Sequence, residues 1–150
     1  MLDALTKSAA RNIFYGGNAF FLVVLLILTG QSYYHIVHTA TDSKGLTDSV
    51  TRGKRVWEKH ACINCHTILG EGAYFAPELG NVWVRYGGKE DAQAAREGLK
   101  AWMKAQPSNV EGRRQMPQFN LSEAELEDLV NFLEWVSRID TQGWTPNKAG

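Results

Sequence analysis

Between Arg11 and Asp42 the chain carries no Asp, Glu, Lys or Arg, and the runs Ile13 to Tyr15 and Ala19 to Leu28 are almost purely apolar. Tyr33, Tyr34, Ile36 and Val37 carry the pattern past Gly30. About 20 consecutive apolar residues cross a bilayer, where only a helix satisfies its own backbone polar groups. The pattern therefore predicts a membrane anchor with its extension over 13–38, preceded by a short N-terminal segment, 1–12. Residues 39–47 are Thr, Asp, Ser, Lys and Gly with few large apolar groups, which reads as a linker to a domain over 48–150. In that domain a helix is expected from Asp48 or Ser49 to Lys59, with Val50, Gly53, Val56 and Trp57 inward. Gly70, Gly72, Pro77 and Gly80 punctuate a loop, Asn81 to Tyr86 suits a turn or two of helix, and Asp91 caps a helix through Lys104. Ser122 and Glu125 form a capping box ahead of Leu126, Leu129, Val130, Leu133 and Val136, one face of a last helix that Phe132 and Trp135 widen. Period-2 alternation is scarce, so the fold class is all-α.

Two features of the apolar run bear on its fate. Lys7 and Arg11 precede it and Gly30-Gln31-Ser32 follows, the layout of a cleavable secretory signal. Its length and the aromatic residues after it favour a retained single-pass anchor. The cationic bias places residues 1–12 in the cytoplasm. Within the span, Gly16, Gly17, Asn18 and Ala19 would let another helix approach and hydrogen-bond to Asn18, although small residues are common in spans generally. Lys plus Arg and Asp plus Glu number 16 each, a net charge of zero that argues against a nucleic-acid partner.

The chain has two cysteines, and both lie in Cys62-Ile63-Asn64-Cys65-His66. Two thiols at this spacing with histidine directly after them form the attachment site of a c-type haem, each thiol adding to a vinyl group and the histidine reaching the iron. A structural disulfide would not need the histidine. A redox dithiol would follow a strand, which Trp57 to Ala61 does not resemble, and zinc wants four ligands. Covalent haem attachment happens outside the bacterial cytoplasmic membrane, which agrees with the charge bias in placing the domain in the periplasm. A helix before the motif and another at the end resemble the class I cytochrome c fold, in which Gly53 would permit close approach of Phe132 or Trp135.

His66 is the expected proximal ligand, and by resemblance to the class I cytochrome c fold Pro77 lies where a carbonyl often orients its second ring nitrogen. For the sixth position Met116 is preferred. It lies in an extended loop that Pro117 stiffens, whereas Met103 falls inside a predicted helix beside Trp102 and His60 reads as an exposed helix-end residue. His35 and His38 lie at the membrane boundary. Histidine and methionine together raise the potential and close the iron to substrates, so the site is expected to move electrons. Arg113 and Arg114 either pair with haem propionates or form a solvated basic turn. Gly70 to Tyr74 is either a plain turn or a set of outward carbonyls for a hard cation.

The run from Cys65 through Asn81, Gly112 to Phe119, the ending Trp144 to Gly150 and Ala10-Arg11-Asn12 together closely resemble the small, cytochrome c subunit of bacterial cytochrome c-dependent nitric oxide reductase. The resemblance implies a large multispanning catalytic partner with haem b, haem b3 and non-haem iron, which reduces two nitric oxide molecules to nitrous oxide and water. This chain would be a non-catalytic subunit of the inner membrane, taking electrons from a soluble periplasmic cytochrome c or cupredoxin and passing them to haem b. Cys62 and Cys65 would attach one haem c, and His66 and Met116 would ligate its iron. The carbonyls of Gly72 and Tyr74 would contribute to a calcium site at the subunit interface. Two other readings stand beside it: an anchored cytochrome c of another respiratory complex, and a haem-based gas sensor.

Overall fold

The computed structural model describes residues 5–144, so the predicted N-terminal residues 1–4 and the closing motif from 145 onward lie outside the described part. Two units are distinguished, the first ending at Thr39 and the second starting at Ala40.

The first unit is one long helix, α1 (Lys7–His35), whose backbone continues as a π-helical segment, Ile36–Ala40. Thr6 caps it by accepting from the Ala9 N–H at 3.2 Å. Lys7 to Ala40 contains a window of mean hydropathy 2.0, long and apolar enough to cross a membrane. At 1.5 Å per residue α1 alone is about 44 Å long, more than the ~30 Å of a hydrocarbon core. A Cβ at Gly16, Gly17 or Gly30 would meet nothing within 4 Å. Asn18 donates to the Phe14 carbonyl of its own helix at 2.7 Å, which leaves its second N–H and its carbonyl for other partners.

The second unit is helical apart from one small hairpin: α2 (Asp48–Lys59), β1 (Thr67–Ile68), β2 (Glu71–Gly72), α3 (Val82–Arg85), α4 (Ala92–Lys104) and α5 (Glu123–Val136). The helices α4 and α5 start at the caps expected from sequence, and α2 is capped by Thr47, the last residue of the expected linker. The Thr47 hydroxyl accepts from Val50, the Asp91 carboxylate from Ala94, and Ser122 and Glu125 complete the capping box. The segment before α2 is tied down as well: Ala40 accepts from the Asp140 N–H, and Asp42 from the Trp135 indole, each at 2.9 Å.

The core lies where α2 crosses α5, with Val50, Val56 and Trp57 packed with Leu126, Val130, Phe132 and Leu133, and with Leu99 and Met103 of α4 in the same cluster. Gly53 is the point of closest approach. A Cβ there would come within 1.9 Å of the Asp128 carbonyl and 2.7 Å of the Phe132 Cβ, so Phe132 and the α5 backbone, not Trp135, occupy the room glycine leaves. The crossing is pinned by Asp128, which accepts from Arg52 at 2.8 and 2.9 Å and from Ser49 at 2.6 Å. The Arg52 hydrogen bond holds the Asp128 carboxyl below its usual range. Gly53→Ala is expected to destabilise the domain by about 1–3 kcal/mol, the usual cost of overpacking, read as a lowered thermal midpoint.

Candidate haem centre

The cysteine motif is shaped by an abrupt end to α2. Ala61 takes the left-handed conformation, φ 50°, and the chain turns into a short 3-10 segment, Cys62–Asn64. Backbone bonds from Cys65 and His66 to the Cys62 carbonyl, at 3.1 and 2.9 Å, close the turn, so both thiols and the imidazole leave one compact loop. Both cysteines are free and half-buried, and burial pushes the Cys62 thiol up to about 11.

His66 is buried, 8% exposed, and its Nδ1 lies 2.7 Å from the Pro77 carbonyl oxygen. A carbonyl can only accept, so Nδ1 carries the proton and Nε2 keeps its lone pair, the tautomer an iron ligand requires. Burial lowers the His66 pKa, which also favours the neutral, ligating form.

The hairpin after the motif holds this arrangement. Thr67 pairs with Gly72 and Ile68 with Glu71 across a two-residue turn, Leu69 and Gly70, both at positive φ. Gly72 has φ +120°, and a Cβ on it would stand 2.3 Å from the His66 carbonyl, so the hairpin lies directly against the motif. Ala73 and Ala76 then donate to the carbonyls of Ile63 and Cys65 at 3.0 and 2.8 Å.

In front of the motif is a cavity of about 760 Å³, lined by Cys62, Cys65, His66 and Pro77 on one side and by Met116 and Phe119 on the other. Two thiols, an imidazole with a free ring nitrogen and a thioether around an apolar space fit a haem c, and the volume lies within the range of cofactor sites. Met103 is in the core, 8% exposed, and does not line this cavity.

Proline is not the only brace of the Met116 loop. Gln115 donates to the carbonyls of Val110 and Arg113 at 2.9 and 3.0 Å, and Gln118 to those of Lys104 and Gln106, each at 2.9 Å. These two glutamines flank the methionine and went unnoticed in the sequence, where a polar loop residue carries no sign of its partners. Arg113 is exposed on the cavity lining. Arg114 bridges the opening: it donates to the Phe75 carbonyl, and its guanidinium lies 4.5 Å from the centre of the Phe75 ring.

His60 differs from its expected exposure. It is half-buried on the cavity lining, its ring meets Phe119 edge to face at 5.3 Å, and its Nε2 is buried with no hydrogen-bond partner. Phe119, from the loop that carries Met116, packs against the ring at this helix end. Gly72 and Tyr74 lie beside the cavity rather than in it, and the Tyr74 side chain is 76% exposed with its hydroxyl donating to the Gly70 carbonyl at 3.3 Å. Among the described residues no three His, Cys, Asp or Glu side chains converge to hold a metal ion. A cation at this turn would have to rely on backbone carbonyls and on groups from outside the chain.

Comparison with known proteins agrees with this geometry. The Cytochrome c family model matches residues 50–137. Over its whole length the chain is 57% identical to the nitric oxide reductase C subunit of Halomonas halodenitrificans, with 100% of both chains covered. The proteins of the same name from Cereibacter sphaeroides and Paracoccus denitrificans are 55% and 51% identical, again over 100% of each chain.

Proposed function

The chain belongs to the family of nitric oxide reductase C subunits, a group of cytochromes c, and from that premise we propose how it works as an electron-transfer subunit: it accepts electrons from a soluble periplasmic cytochrome c or cupredoxin and passes them to haem b of its catalytic partner. The observation that carries this reading is the cavity that gathers Cys62, Cys65, His66 and Met116. A bound haem c supplies a one-electron ferric/ferrous couple. Cys62 and Cys65 would attach it through thioether bonds. His66, held by the Pro77 carbonyl, and Met116, held by its flanking glutamines, would supply the ligands to its iron. Were His66 and Met116 both to hold the iron, this chain would offer nitric oxide no open position, and the reduction is assigned in this reading to the partner, with its haem b, haem b3 and non-haem iron.

In this reading α1 anchors the chain in the cytoplasmic membrane with residues 1–12 inside, 39–47 as linker and 48–150 in the periplasm. The backbone carbonyls of Gly72 and Tyr74 contribute to a calcium ion shared with the catalytic partner. The exposure of Gly72 and Tyr74 supports that role, because it leaves the turn accessible to a partner.

The test is a haem and metal inventory of the complex that co-purifies with this chain. Expected are one haem c per copy, b-type haem, non-haem iron and calcium, and no nitric oxide reduction by the chain alone. Co-purification with copper in place of non-haem iron would point to another respiratory complex, and carbon monoxide binding to the reduced chain would point to a sensor.

A further inference from the structure

Glu78 is a buried carboxylate, 4% exposed, that electron transfer as described does not use. Its Oε1 accepts from the backbone N–H groups of Leu69 and Gly80, each at 2.8 Å. The chain closes tightly around it: a Cβ on Gly80 would stand 2.7 Å from that oxygen and 3.0 Å from Leu69. Burial opposes ionisation, but the N–H groups of Gly80 and Leu69 help to outweigh it, and the carboxyl is held below its usual range. Glu78 is therefore an anion at neutral pH. It directly follows Pro77, whose carbonyl orients His66. Arg85 donates to the Glu78 carbonyl at 2.7 Å, which sets its guanidinium beside the residue that follows the Pro77 carbonyl.

We propose that Glu78 and Arg85 are opposed charges fixed behind His66 that set the reduction potential of the iron this chain holds, Glu78 lowering it and Arg85 raising it. The inference rests on the haem-binding reading above. Uptake of one electron from a donor protein or a mediator turns ferric into ferrous iron and lowers the charge of the site by one. A fixed anion nearby stabilises the ferric form and a fixed cation the ferrous form; Glu78 acts the more strongly because it is buried away from water, whereas the exposed Arg85 is screened by solvent. Neither residue touches the iron. Both are positioning and tuning residues, and their backbone and side-chain bonds also hold the Pro77 carbonyl in place.

The experiment is a mediated optical redox titration of the full, haem-loaded chain carrying Glu78→Gln, Arg85→Gln or both. Glutamine keeps an oxygen for the Leu69 and Gly80 N–H groups while removing the charge. Expected is a rise of about tenfold in the reduction equilibrium for Glu78→Gln, which is about 59 mV for a one-electron couple, a fall for Arg85→Gln, and an intermediate value for the pair, all with unchanged haem bands. Potentials that stay at the wild-type value, or that move in the same direction for both single variants, would overturn the proposal. If Glu78→Gln does not mature, Arg85→Lys against Arg85→Gln decides, since only the second should lower the potential. Covalent haem in the wild-type chain is measured first, so that its lack would defeat the haem reading, whereas haem with immobile potentials would defeat this inference alone.

Discussion

Substitution of both Cys62 and Cys65 by serine is expected to leave a chain without covalent haem, and a reductase complex containing it should fall to background activity with its protein donor. Both thiols leave one turn built on the Cys62 carbonyl, so serine can occupy the same backbone, but no thioether can form. The cavity of about 760 Å³ would then be left to water or collapse, and the stabilisation that a bound group lends the folded state would go with it. The domain should therefore also unfold at lower temperature. Haem staining after denaturing electrophoresis reads the first effect, and nitric oxide consumption with donor protein against a small-molecule reductant reads the second. Full activity with the protein donor would mean that electrons enter elsewhere.

Met116→Ala is expected to keep the covalent haem but open its sixth position. The iron should become high-spin or take up added imidazole or cyanide, and the potential should fall as the soft sulfur that favours ferrous iron is lost. Electron delivery to the partner should drop. Met103→Ala is the informative contrast. Its side chain belongs to the core, 8% exposed, so the expected loss is about 2–5 kcal/mol of stability with no change in ligation. A Met116 variant with wild-type spectrum and potential, or a Met103 variant with altered ligation, would reverse the assignment.

Much of the fold was legible because its signals are local. The caps at Asp91 and Ser122 need only the neighbouring three or four residues, and the apolar face of α5 repeats within its own helix. The inward set Val50, Gly53, Val56 and Trp57 was readable for the same reason. What escaped was set by contacts distant in sequence. The brief β1–β2 pairing is too short for any alternation to show, and depends on Leu69 and Gly70 taking positive φ. His60 reads as a helix end until Phe119, 59 positions later, folds over it. Glu78 had no individual reading from sequence, because nothing local reveals that Leu69 and Gly80 will enclose it. Gln115 and Gln118 were passed over beside a proline whose stiffening is visible in one letter. The cysteine motif was the opposite case, its chemistry being written in five consecutive residues.

The most direct test of the central claim is rapid mixing of the oxidised complex with reduced periplasmic donor, following the haem c and haem b absorption bands separately. Electrons entering through this chain require the haem c band to reduce first, with haem b following at a rate that Met116→Ala slows. Reduction of haem b ahead of haem c, or at an unchanged rate when haem c is lacking, would contradict the role assigned to this protein.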